Sequence, residues 1–232
     1  MSIRERLAFL SQWRADFEHT GAVQPSSRHL AHAMTEPLRR RRPDRGGRPV
    51  RILEIGPGTG AVTRAIATLM GAGDRLECYE INPRFASFLR RQVQEDPLLS
   101  PVADHIAIHN APAQELADGQ PFDFAICSAP LNNFDAATID AILGTTLGAL
   151  ANGGTLTFFE YLLLPEVRRL ATRGAGRRRL AAAQEAKQRW LSRHGRGSTV
   201  VLRNLPPARV RELVARGSAT PPRQAASRTD PA

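Results

Sequence analysis

Cysteine is nearly absent: Cys78 and Cys127 are the only two in 232 residues. Both lie in apolar stretches that read as buried strands, where a thiol behaves as a small hydrophobe, so each is expected to be free and a disulfide framework is excluded. Long hydrophobic runs are missing as well. Nowhere do about 18 to 20 apolar residues follow one another without Gly, Asn or a charge, which excludes a spanning helix. The N-terminal stretch MSIRERLAFLSQWRADFEH has neither the continuous apolar run nor the small-residue cleavage site of a signal peptide, so a cytoplasmic protein, soluble or peripheral to the membrane, is expected. The six histidines, His19, His29, His32, His105, His109 and His194, show no ligand spacing, and no metal is expected. Negative charge is short: 22 Asp plus Glu against 32 Lys plus Arg leave a formal +10, nearly all of the excess from arginine. Such a surface draws polyanions or anionic membranes and says nothing of fold.

With 42% hydrophobic residues the chain can bury one α/β core. Ile3, Leu7, Leu10, Trp13 and Phe17 recur at helical spacing, predicting an amphipathic helix that packs on the domain or lies at a lipid interface. Pro25, Ser26 and Ser27 open a second helix over about 26–38. RRRRPDRGGRP (39–49) reads as a solvated loop, a linker or an anion-facing patch. From Val50 onward, the apolar runs VRILEIG, RLECYEI, HIAIHN, FDFAICS, TLTFFEYL and STVVLRNL alternate with helical patterns at about 60–71, 83–94, 135–151 and 165–193. Strands separated by helices of this length give a doubly wound, mostly parallel sheet. The expected division is a helical extension over 1–48, the main domain over 49–215 and a Pro/Ser/Ala/Arg tail without order over 216–232.

The strongest local feature is ILEIGPGTG, a strand running into glycines that open a helix. Gly56 and Gly58 permit a tight turn and a close backbone approach to a ligand, and Gly60 completes the G-x-G-x-G spacing. Glu54 is badly placed beside a diphosphate but suits an ammonium, engaged directly or through water. Glu80, at the end of the next strand, can accept hydrogen bonds from both hydroxyls of a ribose. The stretch resembles motif I of class I S-adenosylmethionine-dependent methyltransferases. The resemblance implies a Rossmann-like fold, S-adenosyl-L-methionine as cofactor, and Asn110 with Ala111 at the adenine. Cys127, Ser128 and the residues after them stand where the methyl group meets its acceptor, with Ser128 counted to the cofactor site.

The segments GAVQPSSRHLAHAM, ILEIGPGTG, CSAPLNNF and VVLRNLPPARV together resemble bacterial phospholipid N-methyltransferases and the related ornithine-lipid enzymes. That resemblance implies an amine head group as acceptor and an anionic membrane surface as partner. An arginine-rich helix carrying Arg168, Arg169, Arg173, Arg177, Arg178 and Arg179 fits the same surface. Glu160 and Tyr161, ending the fifth strand, are the candidates to accept the amine's proton or hold the product ammonium. Two other readings stand beside this one. A nucleic-acid adenine methyltransferase fits the charge, but Ser128-Ala129-Pro130-Leu131 lacks the amide and aromatic that grip a flipped base. A binding module that retains the fold without catalysis is the other.

Overall fold

A computed structural model describes residues 27–41, 48–116, 119–162 and 174–216. The amphipathic segment over 3–17, Arg168, Arg169 and Arg173, and nearly all of the tail lie outside them.

Two short helices come first, α1 (Arg28–Met34) and α2 (Glu36–Arg41). The sequence pattern predicts one helix here; two form because Thr35 turns its hydroxyl back onto the carbonyls of Ala31 and His32 and Pro37 cannot donate to the ladder. The second helix runs on through Arg39, Arg40 and Arg41, expected in the loop, since arginine is a good helix former and suits a C-terminal turn. There follow β1 (Arg51–Ile55), α3 (Ala61–Ala67), β2 (Arg75–Tyr79), α4 (Pro83–Glu95), β3 (Ile106–His109), β4 (Phe122–Cys127), α5 (Ala136–Gly148), β5 (Leu150–Tyr161), α6 (Ala175–His194), β6 (Gly195–Val201) and β7 (Ala208–Val214). Local signals fix several starts. Asn82 accepts from the Arg84 amide ahead of Pro83, Asp135 accepts from Thr138, and Ser27 accepts from Leu30.

The seven strands form one sheet in the order β3-β2-β1-β4-β5-β7-β6, with all parallel except β7, which runs against both neighbours. Successive side chains enter opposite layers. Ile52, Phe159 and Tyr161 pack with Leu30, Met34, Leu38 and Ile66, whereas Leu53, Leu156 and Phe158 pack with Leu143, Ala186 and Leu213. Burial on both faces makes the central strands read as continuous apolar runs. Cys78 and Cys127 are buried and free, one in each layer. Helices α1 and α2 belong to the same core: Leu30 and Met34 have no exposure, and Thr157 donates to the Met34 carbonyl.

Strand order reverses between β1 and β4, and an open α/β sheet binds ligands in the crevice beyond the carboxyl ends at such a point.

Candidate functional site

Every residue expected at the site lies at that carboxyl edge. Gly56, Gly58 and Gly60, between β1 and α3, have φ of 66°, 57° and 81°, a left-handed backbone that favours glycine. The Gly56 amide donates to the Tyr79 carbonyl, tying the loop to the end of β2. A Cβ on Gly60 would lie 2.8 Å from Leu89 Cδ1 of α4, so this position demands glycine twice over.

Glu80 follows β2 and is fully buried; its carboxylate accepts the Gly58 amide at 3.0 Å and the Asn82 amide at 2.9 Å. Asn110, after β3, donates through Nδ2 to the Glu80 carbonyl at 2.8 Å. That contact fixes the amide's orientation and leaves the exposed Oδ1 as an acceptor facing outward from the protein's own bonds. Ala111 stands beside it, half-buried.

Glu54 is bonded to neighbouring side chains. It is fully buried, with Oε1 taken by Ser128 Oγ and Oε2 by Thr63 Oγ1, both at 2.7 Å, and the Cys78 thiol 3.8 Å away. Burial pushes its carboxyl up to about 7, partly offset by the bonds from Thr63, Ser128 and Cys78. Burial and the nearby Glu54 hold the Cys78 thiol well above its ordinary range. Glu54 therefore positions Ser128, whose amide also bonds the Ile55 carbonyl.

At the end of β5 the two other expected residues part company. Glu160 and Tyr161 are consecutive and so face opposite layers. Tyr161 lies edge-on to Phe159, ring centres 5.2 Å apart, and its carbonyl accepts from Asn132 Nδ2. Glu160 turns towards α6, where its Oε1 meets Lys187 Nζ at 2.5 Å and its Oε2 meets Arg211 Nε at 3.2 Å. Each carboxylate oxygen thus faces one cation.

Two contributors escaped the sequence reading. Lys187, on α6, is buried and also reaches Asn132 Oδ1 at 3.4 Å, joining the turn after β4 to the end of β5. The signal was available: it is the only lysine among 32 basic residues. Asn133, in the same turn, has an enclosed Oδ1 without a hydrogen-bond partner in the protein. Among the described residues no group of His, Cys, Asp and Glu could hold a metal ion.

A family model for a methyltransferase domain matches residues 53–156, which span β1 through β5. The chain carries a methyltransferase domain and is an S-adenosylmethionine-dependent enzyme of that kind. Its fold is similar to that of an O-methyltransferase from Streptomyces achromogenes, TomG, solved with S-adenosylmethionine (16% identity, 92% of this chain and 90% of that one, TM-score 0.60). It is also similar to an O-methyltransferase from Bacillus cereus in complex with SAH (15%, 90% and 90%, 0.59) and to the N-methyltransferase NodS from Bradyrhizobium japonicum (17%, 78% and 98%, 0.52). Comparison with curated proteins finds no match. The methyltransferase's cofactor is S-adenosylmethionine, and the donor set suits it in kind: a turn of left-handed glycines, a carboxylate for hydroxyls and a free amide oxygen for an amino group.

Proposed function

We propose that this methyltransferase transfers a methyl group to the amino nitrogen of a membrane-lipid head group, phosphatidylethanolamine or ornithine lipid. The observation that carries the reading is convergence. The four segments that resemble phospholipid N-methyltransferases are far apart in sequence yet meet in pairs: Ser27 donates its amide to Asn204 Oδ1 at 3.0 Å, and Ser128 bonds Glu54. A shared acceptor site built from these segments accounts for their joint presence.

In this reading Glu80 holds the ribose, Asn110 Oδ1 accepts from the adenine amino group beside Ala111, and Gly56, Gly58 and Gly60 let the backbone follow the ligand. Ser128, oriented by Glu54, takes the amino-acid end. The cofactor supplies an electrophilic methyl group. With the cofactor bound, the acceptor nitrogen, as free amine, would take that methyl group from the sulfonium and then release a proton. Rate comes chiefly from alignment of donor and acceptor.

Glu160 acts as an anchor in this scheme. With both oxygens paired, it fixes α6 and the Asn132 turn around the acceptor, and the amine's proton leaves by water. Asn133 Oδ1 is the unspent acceptor in that turn, suited to an amine N–H.

Radiolabelled methyl from S-adenosylmethionine, offered in parallel to vesicles of phosphatidylethanolamine, to ornithine lipid and to total RNA, tests the assignment. Label in chloroform-soluble methylated lipid is the expected result. Label in RNA alone overturns it in favour of a nucleic-acid enzyme.

A further inference from the structure

The turn between β6 and β7 is inside out. Asn204, its polar residue, is 5% exposed, with Oδ1 accepting from Ser27 and Nδ2 donating to the Pro206 carbonyl at 2.7 Å. The flanking Leu202 and Leu205 are 73% and 75% exposed. Water gains nothing from such an arrangement: the leucines forgo their burial while the asparagine keeps them pinned outward.

Because β6 runs parallel to β1–β5, this turn lies at the carboxyl edge, the edge that holds the cofactor residues. It stands three strands from β4, roughly 14 Å along the sheet. Helix α6 brings charge to the same edge. Lys187 lies level with the end of β5, and Arg177, Arg178 and Arg179 sit eight to ten residues nearer the helix N-terminus, roughly 12 to 15 Å further out. These three and Arg203 at the turn are exposed, and none has an acidic partner among the described residues. At the opposite edge Arg40 pairs with Glu212 and Arg48 with Asp123.

We infer that the β6–β7 turn is a bilayer-docking wedge: Leu202 and Leu205 enter the apolar boundary of an anionic leaflet while Arg203 and the arginines at the start of α6 meet its phosphates. The planar fork of arginine suits paired bonds to phosphate, and a basic cluster beside an apolar tip is the combination that holds a peripheral protein at an anionic surface. The site mouth is thereby turned towards the leaflet, so that a head group reaches it without leaving the membrane. This placement rests on the lipid reading above, and the experiment separates the two.

The full chain carrying Leu202→Cys is labelled with an environment-sensitive fluorophore; the native thiols are buried. It is mixed with vesicles of phosphatidylcholine, with and without phosphatidylglycerol, neither of which offers a free amine. A blue shift with the anionic vesicles is expected, and the triple change Arg177→Gln, Arg178→Gln, Arg179→Gln should weaken vesicle affinity on the order of 100-fold, at roughly fivefold per arginine. Cofactor binding, measured on the same proteins, confirms that they are folded. Emission that does not respond to vesicles overturns the wedge, as does emission already blue-shifted in buffer, which would mean that the tip is covered by the chain's own N-terminal segment or by a second copy. Blue shift without methylation of phosphatidylethanolamine or ornithine lipid leaves the wedge standing and removes the lipid as substrate. Methylated lipid with an unresponsive label does the reverse.

Discussion

Lys187 Nζ lies 2.5 Å from Glu160 Oε1 with only 3% of the lysine side chain exposed, in a chain that otherwise uses arginine for every basic position. An ammonium is a compact point charge on a flexible stem, able to enter a gap that also contains Asn132 Oδ1, whereas a guanidinium needs a planar slot. The pair clamps three elements together: α6, the end of β5 and the turn after β4.

Removing the cation should expose the cost of that burial. Lys187→Met leaves Glu160 with Arg211 alone and is expected to lower unfolding free energy by about 3 kcal/mol, the lower end for breaking a buried pair. Combining it with Glu160→Met removes the stranded carboxylate and should restore much of the loss. Denaturant titration of the two singles and the double decides this, and strictly additive losses would refute the coupling.

Glu54 gives the protein a pH signature. Its folded-state value of about 7 lies above the ordinary 4.5, so the folded state holds a proton that the unfolded state has released between those values. The contribution is therefore largest at and below pH 4.5 and is lost as pH rises through 7, amounting to about 3 kcal/mol across the interval. Glu54→Gln should flatten this part of the stability curve between pH 5 and 8. An unchanged slope would show that Glu54 does not titrate there.

The cofactor residues predict a graded series. Glu80→Ala removes a charged acceptor and should weaken S-adenosylmethionine binding roughly 10- to 100-fold; Asn110→Ala removes one neutral acceptor and should weaken it roughly 2- to 10-fold. Isothermal titration measures both. Equal affinities for the two variants and the parent protein would remove these residues from the site.

Gly60→Ala carries a structural cost. The left-handed backbone and the 2.8 Å approach to Leu89 Cδ1 together should destabilise the fold by about 1 to 3 kcal/mol, seen as a lowered Tm. An unaltered Tm would show that α4 yields freely at this point.

How far the sequence spoke for itself varies with the physics of each element. The parallel strands β1, β2 and β4 were plain because burial on both faces makes them continuous apolar runs. Strand β7 was not foreseen: Arg209, Arg211 and Glu212 put charge among its apolar residues, and two of the three find partners only in the tertiary fold, Arg211 on Glu160 and Glu212 on Arg40. Strand β6 was expected from Ser198 onward and begins instead at Gly195, because as an exposed edge it carries no apolar period until Val201. At the site, the glycine turn, Glu80 and Asn110 announced themselves by spacing and resemblance. The role of Glu54 in orienting Ser128, and the pairing of Glu160 with Lys187, depend on bonds between segments 74 and 27 residues apart that no local pattern encodes.

Transfer of a deuterated methyl group from S-adenosylmethionine to phosphatidylethanolamine or ornithine lipid, followed by fragmentation of the lipid in a mass spectrometer, tests the central claim most directly. The deuterated methyl is expected on the head-group nitrogen. The same label on a hydroxyl or carboxylate oxygen, or lipid left unlabelled by an enzyme that binds its cofactor, would contradict it.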